Sequence, residues 1–153
     1  MGVALASPAD CQVTGVHAAF VHTVWDAVAE LLEPAVERSN GRMNMATLRR
    51  SIEARDKQLW LAHVDGDVIA AWVTQVNEYP DVRVCEMLFG GGRLGEIQMW
   101  LDLGLNSVEG SARDKGCGLI ELVGRPGWRR ELERRGYRHS HVVMEKSVEA
   151  LDG

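Results

Sequence analysis

One stretch in the second half of the chain alternates between patterns that only a few folds accommodate. A strand pattern at residues 82–89 runs into three glycines at 90–92, and a long amphipathic helix pattern follows at 95–115. A short apolar run at 119–123 has the length and glycine boundaries of a central strand, and an Arg-rich helical pattern closes the stretch. Because a right-handed helical crossover joins them, the two strands are predicted to be parallel neighbours.

The three glycines have two competing interpretations. A strand that runs through glycines into a helix directs backbone N–H groups and the positive end of the helix at one point, where a phosphate can bind. Glycines at such a junction also serve as a flexible turn that binds no ligand. The sequence leaves both interpretations open.

The first half of the chain is predicted to contain two helices. Residues 13–33 place apolar side chains at helical spacing, and Pro34 is expected to end or restart that helix. Asn44 is a suitable N-cap for a second helix at about residues 45–55. Residues 1–12 are interpreted as an irregular lead-in with a short strand near residues 3–5.

Strand patterns dominate the middle of the chain and its end. Residues 58–64 and 67–76 flank an Asp-Gly pair, which favours the type I′ turn of a β-hairpin because both turn positions need positive φ. Together with residues 82–89, these two strands predict an antiparallel meander. Polar and apolar residues alternate roughly through a last predicted strand at 137–147.

The composition is that of a soluble globular protein. A chain of 153 residues with 46% hydrophobic and 25% charged residues can bury one core, so residues 1–153 are predicted to form one domain. No apolar run approaches the roughly 18–20 residues of a membrane span. The net charge of −5 argues against nucleic-acid binding by the whole surface. Three widely separated cysteines favour free thiols and a cytoplasmic location.

The order of the predicted elements resembles that of the GNAT (Gcn5-related N-acetyltransferase) superfamily. The resemblance covers roughly residues 59–146, and the second half is similar to small GNAT-like proteins encoded by tailed phages and prophages. The motifs that carry it are the three glycines, Trp100-Leu101, ARDKGC at 112–117 and GRPGW at 124–128. The implied fold is α/β (α+β): a mixed, mostly antiparallel sheet flanked by helices, with two N-terminal helices and a βαβ unit in the second half.

The resemblance also implies an activity, in which acetyl-CoA donates an acetyl group to an amine acceptor whose identity is unknown. The strand that ends at Phe89 would pair its backbone with the pantetheine arm, and the loop after it would hold the pyrophosphate. The residues predicted to bind acetyl-CoA are Met87, Leu88, Phe89, Gly90, Gly91, Gly92, Arg93, Leu94, Gly95 and Arg125.

The sequence departs from the family pattern at two places that bear on activity. Gly95 falls one position early relative to the usual phosphate-loop pattern, and Glu96 adds an anion there. Leu132 occupies the position where many family members carry a tyrosine that protonates the leaving thiolate. These departures favour an alternative hypothesis from another class. In it, the protein is a non-catalytic GNAT-fold protein that acts as a virion-associated or other interaction module in a phage context. The partners expected besides acetyl-CoA and the amine are a second copy in a homodimer or a structural protein of a phage.

Glu86 is the candidate catalytic base. It alternates with Val82, Val84 and Leu88, so its carboxylate is expected to be half-buried on an apolar strand face. Half-burial suits a carboxylate to take a proton from an ammonium group. A paired or edge-exposed carboxylate without a catalytic role is the alternative interpretation. Glu121, on the next predicted strand, is a second candidate on the same reasoning.

Arginines crowd into the predicted helix near the end of the chain, at Arg125, Arg129, Arg130, Arg134 and Arg135. A solvated helix face is the leading interpretation. The alternatives are contact with an acidic partner or with the 3′-phosphate of CoA, and the second of these singles out Arg125. His139 and His141 share a strand face, but no third metal ligand lies near them in sequence, so no metal is predicted.

Overall fold

The computed structural model describes residues 10–93 and 97–149. The chain divides into two compact units, Met1–Val123 and Gly124–Gly153, each of which is described by itself. The predicted strand near residues 3–5 lies outside the described residues.

The first unit contains a mixed sheet of five strands in the order β1-β2-β3-β4-β5. The first four strands are antiparallel neighbours, whereas β4 and β5 are parallel. Both the predicted meander and the predicted parallel pair are therefore confirmed. The strands are β1 (Cys11–Val16), β2 (Gln58–Val64), β3 (Asp67–Glu78), β4 (Arg83–Gly92) and β5 (Leu119–Leu122).

Helices cover both faces of this sheet: α1 (Val21–Glu37), α2 (Met45–Glu53) and α3 (Ile97–Asp114). Val73 packs in one buried cluster with the apolar faces of α1 and α2. Trp72, the residue before it, points to the opposite face of β3, where it stacks on Trp100 of α3 with ring centroids 5.4 Å apart. The sheet is thus the middle layer of three.

Local signals set the ends of several elements, and the Asn44 cap and the Asp-Gly turn are as predicted. The Asn44 side chain accepts the Thr47 N–H at 2.8 Å and caps α2. Asp65 and Gly66 both have positive φ, at 50° and 86°, as a type I′ turn requires. Gly116 ends α3 with φ 74°.

The prediction of one helix over residues 13–33 is wrong. Its first four residues belong to β1, which pairs antiparallel with β2, and a 3-10 turn at Ala18–Phe20 precedes α1. Val13 and Val16 have a spacing that helices and strands share, and only the distant partner strand decides between them. Pro34 also does not end α1. The helix continues to Glu37, and the Pro34 carbonyl still accepts the Arg38 N–H at 3.2 Å.

The prediction of a last strand at 137–147 is wrong as well. Residues 137–149 carry no regular secondary structure. The apolar residues Val142, Val143 and Met144 are consecutive and all exposed, so the segment lacks the strict alternation that a half-buried strand needs. Within the described residues β5 is consequently an edge strand rather than the central strand predicted, and Leu119 at its start is 48% exposed.

The three glycines form the end of β4 rather than a loop, since they pair with Ala70, Ala71 and Trp72 of β3. A Cβ atom at Gly91 would lie 2.0 Å from the Leu31 carbonyl oxygen of α1. Close packing of a strand against a helix backbone therefore requires glycine at this position. Neither sequence-based interpretation included this reason.

We expect Gly91→Ala to destabilise the fold by about 1–3 kcal/mol, because Leu31 and the rest of α1 would have to move away from β4. The matched control is Gly110→Ala in α3, where an added Cβ has no atom within 4 Å. The control should instead stabilise the protein by about 0.5–1 kcal/mol, the gain in helix propensity. Urea denaturation of the two variants measures both changes. Equal stabilities would show that β4 and α1 are not in this close contact.

Candidate functional site

The parallel ladder between β4 and β5 covers only the first half of β4. It runs from the Val84–Leu119 pair to the Met87–Leu122 pair. Beyond Met87, β4 continues through Leu88–Gly92, and no strand of the described residues pairs with that edge. The two strands thus part, and over Leu88–Gly92 one edge of β4 has no neighbouring strand among the described residues.

A β-bulge marks the point where the strands part. Val73 of β3 pairs with Phe89 and Thr74 pairs with Met87, so Leu88 is the extra residue on β4. A bulge bends its strand and increases the local twist. The bend falls one residue after the last β4–β5 pair, and it accounts for the divergence of β4 from β5.

The structure gives different packing roles to the residues predicted to bind acetyl-CoA. Phe89 packs against the core cluster under α1 and α2, so its side chain is committed to the core. An added Cβ at Gly92 would lie 3.1 Å from the Trp100 ring, so this glycine lets α3 approach. These two positions therefore serve the packing of the core, and backbone contact of β4 with acetyl-CoA stays a prediction.

The predicted phosphate loop lies largely outside the described residues. Leu94, Gly95 and Glu96 fall in the gap, and α3 begins at Ile97. Arg93 is described, and its backbone N–H donates to the Ile69 carbonyl at 3.0 Å. That N–H group is therefore already hydrogen-bonded within the sheet. Arg93 could bind an anion only through its exposed guanidinium group.

Glu86 sits in a row of polar side chains that crosses three strands. It pairs in register with Gln75 of β3 on one side and with Glu121 of β5 on the other. Gln75 is two residues from Val73, so the row lies on the sheet face that α1 and α2 cover. Glu86 is half-buried, as predicted, and the structure brings both candidate carboxylates together.

Tyr79 is a member of this site that sequence reasoning missed. Its hydroxyl donates to Glu86 Oε1 at 3.0 Å. The turn between β3 and β4, closed by the bond from the Tyr79 N–H to the Val82 carbonyl, brings it there. The predicted meander already contained this signal, because it needs a turn between residues 76 and 82, and a residue just before a tight turn faces the strand that follows it.

The environment of Tyr79 raises the pKa of its phenol. The largest cause is the hydrogen bond to Glu86, followed by the negative charge of that carboxylate, with a smaller contribution from the charge of Glu121. All three disfavour a phenolate beside existing carboxylates.

Two tryptophans that could have lined an acceptor pocket belong to the core. Trp72 is 3% exposed between β3 and α3. Trp60 is also buried, and its indole N–H donates to the Thr74 hydroxyl at 2.9 Å. Both rings thus stabilise the α3 side of the sheet.

The second unit holds the arginine-rich helix α4, Trp128–Glu133. Arg129 pairs with Glu133 at 2.6 Å, and Glu131 pairs with both Arg134 and Arg135. Three of the five arginines are thus paired within their own helix or its end, as on a solvated helix face. Leu132 is buried in α4. Contact of Arg125 with a CoA phosphate stays a prediction.

Three further features bear on the kind of site. In residues 10–93 and 97–149, no three His, Cys, Asp or Glu side chains gather as metal ligands would. None of the helices in these same ranges has the length and apolar character of a membrane span. Cys11, Cys85 and Cys117 are free thiols.

Comparison with solved structures identifies the architecture. An aminoglycoside acetyltransferase from an uncultured soil metagenomic sample matches with a TM-score of 0.69 at 8% identity, over 92% of this chain and 98% of that one. A GCN5-related N-acetyltransferase from Ralstonia eutropha matches with a TM-score of 0.64 at 13% identity, over 91% and 99%. The chain has the GNAT fold. No protein-family model and no curated protein matches the sequence.

A third GNAT-fold match extends the comparison to a structure with a cofactor. It is a predicted acetyltransferase from Clostridium acetobutylicum, solved with acetyl-CoA, with a TM-score of 0.64 at 10% identity over 90% of this chain and 96% of that one. At identities this low, the likeness extends to the fold alone.

We expect Glu86→Gln to lower the pKa of Tyr79, because it removes both the carboxylate acceptor and the adjacent negative charge. Glu121→Gln should lower it less, since the Glu121 charge is the smallest of these causes. Ultraviolet titration of the phenols measures both shifts, with Tyr79→Phe assigning the Tyr79 step. An equal shift in the two variants would contradict the Tyr79–Glu86 hydrogen bond.

Proposed function

We propose that this protein is an N-acetyltransferase that moves an acetyl group from acetyl-CoA to an amine. The observation that carries the proposal is the free edge of β4 over Leu88–Gly92, beside a bulge and beyond the end of the β4–β5 ladder. An extended amide-containing arm such as pantetheine can pair with such an edge as an added strand would. The GNAT fold supports the same assignment by analogy.

The acetyl-CoA site would draw on three features. The edge of β4 would hold the pantetheine arm, and the start of α3, where an α-helix leaves N–H groups without internal acceptors, would face the diphosphate. The guanidinium groups of Arg93 and Arg125 are further candidates for phosphate contacts. Side chains matter little to the first two features, so they tolerate the departures of Gly95 and Glu96 from the usual loop pattern.

The chemistry would be a direct transfer. The acceptor nitrogen attacks the thioester carbonyl carbon, a C–N bond forms, and the C–S bond breaks with departure of the CoA thiolate. Glu86, directly or through water, would take the proton that the nitrogen gives up. Gln75, Glu121 and Tyr79 surround that carboxylate, and their polar groups would favour a cationic amine over a neutral substrate.

Leu132 does not prevent this reaction. Its side chain cannot donate a proton, so the thiolate would leave without a tyrosine acid. Thiols are much stronger acids than alcohols, and the cysteine thiol ionises near pH 8.5. A thiolate is therefore a competent leaving group, and solvent can protonate it near neutral pH. We expect slower turnover with Leu132 than with a tyrosine at this position, and transfer of the acetyl group to the same acceptor amine in both cases.

The alternative proposal is a non-catalytic GNAT-fold module, associated with a phage virion or with another partner. It is favoured by Leu132 and by the use of the Arg93 N–H within the sheet, which removes one donor from the predicted phosphate loop. The catalytic proposal locates the protein in the cytoplasm, that of the host if a phage encodes it. The alternative would locate it in the virion.

Calorimetric titration with acetyl-CoA separates the two proposals. The transferase should bind with a Kd in the micromolar range, about −8 kcal/mol. Hydrogen exchange should slow across Leu88–Gly92 on binding, because the edge amides gain acceptors there. The absence of binding at millimolar acetyl-CoA would leave the non-catalytic module.

We expect Glu86→Gln to slow acetyl transfer at least about tenfold, because it removes the proton acceptor. Its affinity for acetyl-CoA should stay within about twofold of the wild type, since Glu86 lies within the ladder and not on the free edge. The comparison is Glu121→Gln, the same change on the neighbouring strand, which should slow acetyl transfer less than Glu86→Gln does. Thiol release with a panel of amines measures the rates. A rate equal to that of the wild type would remove Glu86 from the mechanism.

A further inference from the structure

A cavity lies beside the start of β4, and its lining extends to Thr74 and Gln75 of β3, which pair with Met87 and Glu86 of β4. It has a volume of about 600 Å³ and is bordered by the ends of α2 and α3 and by β2, β3 and the start of β4. Leu88, where the free edge begins, is five residues along β4 from Arg83, which lines the cavity. At about 3.4 Å per residue the two points are roughly 17 Å apart.

The charge of this cavity is opposite to that of the whole chain. Its lining includes four cationic and two anionic side chains, in a protein of net charge −5. Arg83 forms an ion pair with Glu78. The charges that remain are those of Arg55, Lys57 and Lys115 against Asp56, and none of these four side chains has an ion-pair partner among the described residues.

The cations are held at the cavity by well-defined backbone. The turn after α2 is closed by two N–H groups, those of Asp56 and Lys57, which donate to the Ser51 carbonyl at 3.0 and 3.2 Å. Arg55 lies in this turn with φ 68°, a conformation that non-glycine residues rarely adopt. Arg83 donates to the Lys115 carbonyl at 2.5 Å and fixes the end of α3 beside the cavity.

Lys57 is the most informative of these cations because it is half-buried. A partly desolvated ammonium group without a carboxylate partner gains free energy from a bound anion. Gln58 and Gln75 add amide groups to the lining, although both donors of the Gln58 amide are used on the Val16 and Leu59 carbonyls.

We propose that this cavity, which shares Gln75 with the polar row around Glu86, binds a small dianion of the phosphate-monoester class and does not belong to the proposed acetyl-CoA site on the free edge of β4. The excess of two positive charges in the lining matches a phosphate monoester, which carries about two negative charges near neutral pH. Lysine and arginine from separate elements surround the cavity, as a phosphate with several acceptor oxygens requires. The volume of about 600 Å³ also accommodates the organic part of such a ligand.

The test is thermal unfolding of the full chain in inorganic phosphate and in glucose 6-phosphate, with ionic strength held constant by sodium chloride. We expect saturable stabilisation that is half-complete near or below about 1 mM. Lys57→Gln and Lys115→Gln should each raise the half-saturating concentration at least about tenfold, whereas Lys57→Arg should largely retain binding. A stronger effect of glucose 6-phosphate than of phosphate would assign the organic part of the ligand to the cavity as well.

The matched control is Arg113→Gln, which removes the same charge two residues from Lys115 at a position that does not line the cavity. It should leave the phosphate response unchanged. The proposal is wrong if phosphate gives no saturable stabilisation, or if Arg113→Gln weakens the response as much as Lys115→Gln. It is also wrong if CoA displaces the phosphate, because the cavity would then belong to the cofactor site. Failure of acetyl-CoA to bind would overturn the transferase proposal and leave this one standing.

Discussion

The candidate site depends on the unequal pairing of the two edges of β4. One edge is paired along the whole strand, whereas the other edge is paired along only half of it. On the β3 side its partners run from Glu78 to Ala70, whereas on the β5 side pairing stops at Met87. An exposed strand edge is usually a liability, because its unpaired backbone groups invite association with other chains. Here the unpaired stretch is short, twisted by a bulge and located beside the start of a helix. Those are conditions that suit a ligand better than another strand.

Close packing on both faces holds that stretch of β4 in place. Gly91 contacts the backbone of α1 at Leu31, and on the other face the stacked rings of Trp72 and Trp100 lie against Gly92 and Gly104. Glycine and tryptophan are complementary here, since each large ring needs an adjacent position without a side chain. A strand fixed this way keeps its free edge in one geometry before any ligand arrives, so binding loses less conformational entropy.

The sequence predicted the elements whose signals are local. The Asp65-Gly66 turn, the Asn44 cap and the parallel β4–β5 pair were all correct, because each depends on a few adjacent residues or on a connection rule. The predictions were wrong where the secondary structure of a segment depends on a partner that is distant in sequence. Val13 and Val16 form a strand because β2 lies beside them, and residues 137–147 form none.

The same distinction between local and distant determinants applies to the residues of the candidate site. Glu86 could be found from alternation along one strand, and Glu121 from the next strand, but their meeting with Gln75 depends on the register of three strands. Tyr79 enters through a turn, and the role of Gly91 depends on a helix sixty residues earlier in the chain. A pattern within one segment contains none of this information.

The separate roles of side chains and backbone within β4 make few demands on sequence, and the fold is indeed shared at sequence identities of 8–13%. Its side chains serve the core, as Phe89 does, or leave room for it, as the glycines do, while its backbone edge remains for a ligand. Any sequence that keeps the bulge and the packing keeps the edge, whatever its other residues are. Glu86 lies outside that constraint, in the polar row that it forms with Gln75 and Glu121, and Tyr79 joins this row from the turn between β3 and β4.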